Sequence, residues 1–356
     1  MERGAWQLTV VEAVEHDPPP VIRVAERTLR PTQVFDTYWR FAAARQAMYV
    51  RRLEGNPPPW TEDPILRDHR FTNAYRAADR VSQFLIGEVI YGEHRPRDVH
   101  DVVFRILLFK LFNRIDTWRA LETSLGEIRW SSFDFERYRD ALDEAARDGP
   151  VYSAAYVMPP PRLGEGSKRL NHLRLLERMM RDGVAAFIAG GRRLEHVYER
   201  LRSYPSMGRF LAFQFTIDVN YSDAMEASEG EFVVAGPGAC DGIAKCFGPA
   251  ARGVEANVIR YMADTQESHF ARLGLDFPGL FGRRLQLVDC QNLFCEVDKY
   301  ARVAHPSVPG ISGRSRIKQK FKPLAEPLSA FFPPKWRLAH ALPGSVPCDP
   351  QLALFG

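Results

Sequence analysis

From Phe35 onward, apolar residues recur with helical spacing. Phe35, Tyr38, Trp39 and Ala42 fall at i, i+3, i+4 and i+7, with Arg40, Arg45, Arg51 and Arg52 mostly off that stripe. Asn56-Pro57-Pro58-Pro59 ends this helix, because proline lacks the amide a helix interior needs. A second helix is predicted from near Thr72, with Tyr75, Ala78, Val81, Phe84 and Leu85 inward and Arg76, Asp79, Arg80 and Gln83 outward. Residues 99–112, VHDVVFRILLFKLF, are apolar nearly all round, the pattern of a buried central helix. Further helical patterns cover 134–146, 169–189, 192–202, 206–219, 253–271 and 290–303, while strand signals are short and no internal repeat occurs. The pattern predicts an all-α fold. An N-terminal extension, 1–34, carries Pro18-Pro19-Pro20. A helical domain spans 35–305, and a basic, proline-containing C-terminal extension spans 306–356.

Composition narrows the class without naming it. The 356 residues suffice for one large core or two modest ones. The 48 basic and 44 acidic residues leave a net charge of +4, compatible with nucleic acid but not specifying it. Distribution says more: Arg314, Arg316, Lys318, Lys320 and Lys322 form a run with no acid inside it, read as a solvated segment or a phosphate contact. Cys240, Cys246, Cys290, Cys295 and Cys348 form no disulfide framework, and their spacing matches no usual zinc or iron–sulfur run. No metal and no cofactor is expected. With no apolar run of about 18 residues and no signal-peptide core, the expectation is a cytoplasmic protein without a membrane partner.

Three clusters carry candidate chemistry. In Leu287-Val288-Asp289-Cys290-Gln291-Asn292-Leu293-Phe294-Cys295-Glu296, the residues Asp289, Asn292 and Glu296 share one helix face, so acid, amide and acid would converge. Asp289 equally suits a helix N-cap. Polar residues crowding an otherwise apolar helix, Gln291 among them, favour a site. Asp298 and Lys299 read as charges on a solvated face. The second cluster is Gly236-Pro237-Gly238-Ala239, whose glycines would allow a tight turn before an outward-pointing helix start, a ready phosphate-binding arrangement. The alternative is a plain connection between helices. The third is FLAFQFTIDVNYS at 210–222, which brings Gln214, Asp218, Asn220, Tyr221 and Ser222 to one helix end. It reads either as a helix stop or as a pocket for an extruded base.

The order of these clusters resembles that of helix-hairpin-helix DNA glycosylases: a Gly-rich hairpin near 230–248, then Val288-Asp289 where their catalytic Asp stands, then Arg302-Val303. The hairpin-to-Asp interval is longer here, with 253–271 reading as an inserted helix. Where lyase members carry a nucleophilic Lys just after the second Gly, this chain has Ala239, Cys240 and Asp241, and Lys245 falls about a turn too late. More specifically, FDTYWRFAAARQAMYVRR, DPILRDHRFTNAYRAADRVSQFLI, FLAFQFTIDVNYS, GPGACDGIAKCF and DCQNLFCEVDKY, in order over 35–305, resemble two families. These are the helical domain of 5-hydroxymethyluracil DNA kinases and the alpha-glutamyl/putrescinyl thymine pyrophosphorylases, a group that includes anti-phage DNA glycosylases. No Walker-type loop occurs in the chain, so the kinase label is not carried over.

The resemblance implies a helix-hairpin-helix glycosylase-like fold and a monofunctional DNA N-glycosylase that flips out and excises a modified base, such as glucosylated 5-hydroxymethylcytosine of phage DNA. Its alternative is a base-hypermodifying pyrophosphorylase or transferase. The partner would be double-stranded DNA carrying modified bases, and the enzyme a monomer. Asp289, Asp218 or Glu296 would serve catalysis, with the choice between Asp289 and Asp218 open. Asn220, Tyr221, Gln291 and Asn292 would hold the base. Gly236, Gly238, Ala239, Lys245 and Lys299 would meet the DNA backbone.

Overall fold

In the computed structural model the described residues are 19–155, 157–323, 328 and 330–338; residues 1–18 and Cys348, both read above, lie outside them. The chain begins with an antiparallel pair, β1 (Ile22–Val24) and β2 (Arg27–Leu29), in register Ile22 to Leu29. Thirteen α-helices follow among the described residues: α1 Gln33–Leu53, α2 Pro64–Asp68, α3 Arg80–Phe84, α4 Val99–Phe112, α5 Ile115–Leu125, α6 Phe135–Asp148, α7 Lys168–Arg181, α8 Val184–Ala189, α9 Leu194–Arg202, α10 Arg209–Val219, α11 Pro237–Phe247, α12 Glu255–Arg272 and α13 Leu287–Ala304. The fold is all-α, as the periodicity predicts. Among the described residues no helix is long and apolar enough to cross a membrane.

The chain forms two compact units. One comprises residues up to Ala74, Pro237–Phe277 and Asn292–Leu328. Its core is aromatic: Trp39 stacks on His269 at 5.1 Å, Phe35 meets Phe247 at 5.4 Å, and Tyr38 meets Phe294 at 4.6 Å. Helix α12, read in sequence as an insertion, buries Val258, Ile259, Met262 and Phe270 in this core. Arg45 is buried with them, its Nε on the Thr72 carbonyl (3.0 Å) and its Nη2 on Asn73 Oδ1 (2.9 Å).

The other unit comprises Tyr75–Gly236, Pro278–Gln291 and the chain beyond Ser329. Its centre is α4, buried from Asp101 to Phe112 and packed against α7, α8 and α10. A helix without a polar face can be stable only when other helices surround it. The predicted 169–189 helix is broken at Gly183, whose left-handed φ of 75° starts α8 anew.

Two expectations change. The helix predicted from Thr72 is instead extended chain, then a 3-10 turn (Arg76–Ala78), then the short α3 and a π-helical stretch (Leu85–Ile90). Tyr75 and Asp79 are extended, with ψ of 123° and 144°. The amides of Thr72 and Arg76 donate to Glu296 and Asp289 rather than to carbonyls four residues back, so side chains replace the helical ladder. The glycines near 236 also have a different role. Helix α10 ends at Val219 and α11 starts only at Pro237. Neither Gly236 nor Gly238 has positive φ. A Cβ on Gly236 would sit 2.6 Å from the Phe210 ring, and one on Gly238 2.3 Å from Cys295 Sγ, so these glycines serve close packing rather than a tight turn.

Gly242 is the sharpest case, since a Cβ there would fall 2.0 Å from the Phe294 carbonyl oxygen, a backbone atom that cannot swing away. Gly242→Ala should lower stability by about 1–3 kcal/mol through forced separation of the backbones. Gly166→Ala, which meets nothing within 4 Å, should stay within about 0.5 kcal/mol. Urea unfolding of the two variants checks this.

Candidate active site

The chemistry-bearing side chains of the second unit gather around Asp218. Helix α10 presents Asp218 and, one turn earlier, Gln214. Helix α4 contributes Lys110, and the 3-10 turn contributes Arg76. Asp218 lies 2.6 Å from Arg76 Nη2 and 2.7 Å from Lys110 Nζ, and the side chains of all three are at most 6% exposed. Arg76 spends its other donors nearby: Nε on Gln214 Oε1 (3.0 Å), Nη1 on the Tyr221 hydroxyl (2.9 Å) and the backbone amide on Asp289 Oδ1 (2.9 Å). Burial pushes the Tyr221 phenol well above its usual range, with Arg76 opposing, so it stays neutral.

Asp289 stands in the first turn of α13. Its Oδ2 accepts from the Gln286 amide at 3.0 Å, half of a capping box, while Oδ1 takes the Arg76 amide. Burial raises its carboxyl to about 7; the two amide bonds pull it down, and neighbouring Glu229 adds a further upward push. A carboxyl near neutrality can exchange a proton at working pH, as a catalytic acid or base must.

A third acid, Glu229, is buried beside Asp289. It pairs with Arg283 at 3.2 Å and accepts the indole N–H of Trp336. Arg283 is fixed by a tight turn: the Leu280 and Arg283 amides and carbonyls pair at 2.9 and 3.0 Å, with Phe281 and Gly282 at φ 52° and 85°. The Arg283 carbonyl also accepts from Tyr75 Oη at 2.5 Å. Gly279 cannot be replaced cheaply, because a Cβ would lie 2.6 Å from that carbonyl. Lys335 closes the group by donating to the carbonyls of Ser222 and Met225 at 3.0 and 2.7 Å.

The sequence-predicted residues fall into separate places. Asp218, Tyr221 and Asp289 are brought together. Asn220 is buried and brackets its own loop, donating to Ala227 O and accepting from Ala227 N. Gln291 is buried on α13. In the first unit, Asn292 donates to Thr72 Oγ1 at 3.0 Å, and Glu296 accepts the Thr72 amide at 2.9 Å while pairing with Lys299 at 2.8 Å. Both hold the extended segment, so the expected convergence of Asp289, Asn292 and Glu296 is a row of backbone clamps. Lys245 is a correction: only 2% exposed, it pairs with Asp298 at 3.1 Å and cannot reach a phosphate. Asp298, expected on a solvated face, is buried between Lys245 and Arg302. Gly238 and Ala239 lie in the first turn of α11, with Ala239 fully buried and Gly238 partly so; Gly236, just before that helix, is buried.

Reading the sequence alone missed Lys110, Glu229, Arg283, Lys335 and Trp336 as site members. One signal was present: Lys110 sits inside an apolar helix, where a buried ammonium needs a counter-charge.

Two measurements follow. Asp218→Asn removes the carboxylate charge that two buried cations share and should cost about 3–5 kcal/mol in urea unfolding. Asp289 titrates at about 7 when folded against the ordinary 3.8, so the folded state holds the proton more tightly. Its contribution favours folding below about pH 4, falls as pH rises to 7, and is constant above that. The stability of the parent minus that of Asp289→Asn should therefore decline from pH 4 to 7, and a pH-independent difference would refute the raised value.

The family described as 5-hmdU DNA kinase, helical domain, matches residues 32–310. A 5-hmdU DNA kinase of Bacillus phage SP10 is 26% identical over 288 residues, covering 75% of this chain and 45% of that protein. The chain thus spans less than half the length of this relative. No solved structure matches. The match covers more than half of the chain, including α4, α10 and the Asp289 turn, and the protein belongs to the 5-hmdU DNA kinase helical-domain family.

Proposed function

We propose that this protein is a DNA N-glycosylase that excises a 5-hydroxymethylpyrimidine-type modified base from duplex DNA, with Asp289 as its catalytic carboxylate. The observation that carries this is Asp289 itself. It is a buried acid raised to about 7, aimed by two backbone amides, and next to an arginine, a tyrosine and a second buried acid. The substrate class comes from the relative, a 5-hmdU DNA kinase.

In this reading the modified nucleotide is extruded at a cost on the order of a few kcal/mol. The Asp289 carboxylate then stabilises positive charge developing at C1′ and orients or deprotonates the attacking water. Each of its oxygens keeps a lone pair beyond the amide bond it accepts. Asp218 suits the role less, since each of its oxygens is committed to a cation. Glu296 acts by positioning the Thr72 segment. Backbone contact falls to the exposed Arg314, Arg316, Lys318, Lys320 and Lys322, while Ala239, fully buried, takes no part in it. Lys299, partly buried on Glu296, plays a lesser part. Glucosylated 5-hydroxymethylcytosine, as carried by phage DNA, is the specific base to test first, and anti-phage defence the corresponding role.

A second reading is favoured by one observation: the matching relative is named for modification rather than excision, and this chain covers 45% of it. The helical domain would then present the extruded base to modifying chemistry, with Asp289 activating its hydroxymethyl group or a nucleophile.

Purified protein incubated with thymine-, 5-hydroxymethyluracil-, 5-hydroxymethylcytosine- and glucosyl-hydroxymethylcytosine-containing duplexes, then treated with alkali, separates these. Alkali-dependent breaks confined to modified DNA support excision. They should rise with pH through about 7 as Asp289 ionises, and fall about 10²-fold or more in Asp289→Asn with DNA affinity retained. Absence of breaks on every duplex, with preferential binding to a modified one, would move the assignment to the second reading. Replacing the five basic residues 314–322 with alanine should weaken binding to all duplexes alike and reduce the salt slope by about 4.

A further inference from the structure

Trp336 lies in the C-terminal segment, and its surroundings are unusual for an indole. The Arg283 guanidinium lies over its ring at 4.0 Å, the Tyr221 ring meets it edge-on at 5.8 Å, and Phe332 lies nearly parallel at 6.1 Å with an interplanar angle of 17°. Its N–H donates to the buried Glu229 carboxylate. A cation over a ring face, an aromatic edge and a carboxylate taking an in-plane N–H are the contacts by which proteins hold an extruded base. The segment is itself docked: the Phe331 amide donates to Gln83 Oε1 at 2.8 Å, and Lys335 is tied to two carbonyls of the loop after α10.

The fit is incomplete in one respect. Arg283 Nε is buried without a hydrogen-bond partner. An indole offers Glu229 a donor but has no acceptor to give Arg283. A pyrimidine edge that sets an N–H beside an acceptor, as N3–H and a carbonyl do in uracil or N4–H and N3 in cytosine, supplies both when it seats in plane with Glu229 and Arg283 rather than beneath the guanidinium. Such a ring would satisfy Glu229 and Arg283 together where Trp336 satisfies only one.

We infer that Glu229, Arg283 and Tyr221 form the slot for the edge of the extruded pyrimidine, and that Trp336 occupies this slot as an internal plug until the base displaces it. The inference rests on the base-extruding reading above and specifies where the base goes. It also accounts for the closure of the site: Tyr221, which Trp336 contacts, is 1% exposed and Asp289 4%. Apparent affinity is the intrinsic affinity multiplied by the fraction of time the slot is vacant.

The test uses the full chain and free nucleosides as probes, followed by calorimetry. If the plug fills the slot 90–99% of the time, Trp336→Ala should bind 5-hydroxymethyl-2′-deoxyuridine about 10- to 100-fold more tightly than the parent. N3-methylthymidine, which lacks the N–H, should gain nothing, and adding Glu229→Leu should abolish the gain. Trp336→Phe, which keeps a ring but drops the indole N–H, should give a smaller gain and carries the test if the alanine variant unfolds. Equal affinity of the parent and both Trp336 variants would overturn the proposal, as would tight binding of N3-methylthymidine. Failure of base release from DNA with the nucleoside pattern intact would sink excision and leave the slot standing. Base release without that pattern would sink the slot alone.

Discussion

A buried carboxylate between two buried cations is costly unless geometry repays the desolvation, and around Asp218 it does so with contacts of 2.6 and 2.7 Å. The two cations come from different elements, Lys110 from the middle of the apolar α4 and Arg76 from a short 3-10 turn, while Asp218 rides on α10. The triad therefore fixes the turn against two helices, and everything Arg76 then touches inherits that placement: Gln214, the Tyr221 hydroxyl and Asp289. A hydrophobic substitute for the triad could pack as well, but it could not aim an amide at Asp289.

That aimed amide matters because Asp289 is pulled in two directions. Burial and Glu229 favour its protonated form, and two N–H donors favour the ionised one. With burial alone it would be a permanent acid, and with the donors alone an ordinary cap. The balance near neutrality arises from taking the same local structure, the capping of α13, and burying it among other charges. Glu229 is raised by burial as well and held down by Arg283 and Lys335, and its charge in turn disfavours ionisation of Asp289. An incoming group that neutralised Glu229 would lower Asp289 and favour its carboxylate form.

Much of this was readable from residues. The 3.6-residue periodicity located α1, α4, α6, α9, α10, α12 and α13 because each buries a stripe or is buried entirely, and that pattern depends only on local spacing. Asp218, Tyr221 and Asp289 could be singled out as polar residues in apolar context. What failed was anything set by a distant partner. The Thr72 segment has helical spacing, yet two carboxylates more than 200 positions away take its amides, and no local rule registers that. Lys245 reads as a surface lysine until Asp298 is found 53 residues on. Gly236 and Gly238 read as turn residues because a glycine needed for close packing looks the same in sequence as one needed for φ. Glu229, Arg283 and Trp336 lie in segments without periodicity, and only their meeting identifies them.

Their meeting has a physical logic of its own. A slot able to hold a planar base by its edge must present a carboxylate and a guanidinium to a cavity, and while no base is present those groups face either water or a void. A void forfeits dispersion contacts and leaves polar atoms unsatisfied, at about 1–3 kcal/mol for each such atom. Water would solvate Glu229 and draw Asp289 away from neutrality by relieving the burial that raises it. A resident indole, itself half-buried, counters both outcomes: it fills space beside Glu229 and takes the Glu229 hydrogen bond. It must still be weaker than the ligand, or the site would never open. The unpartnered Arg283 Nε provides that margin, because it is one donor that the plug leaves unsatisfied and a pyrimidine carbonyl does not.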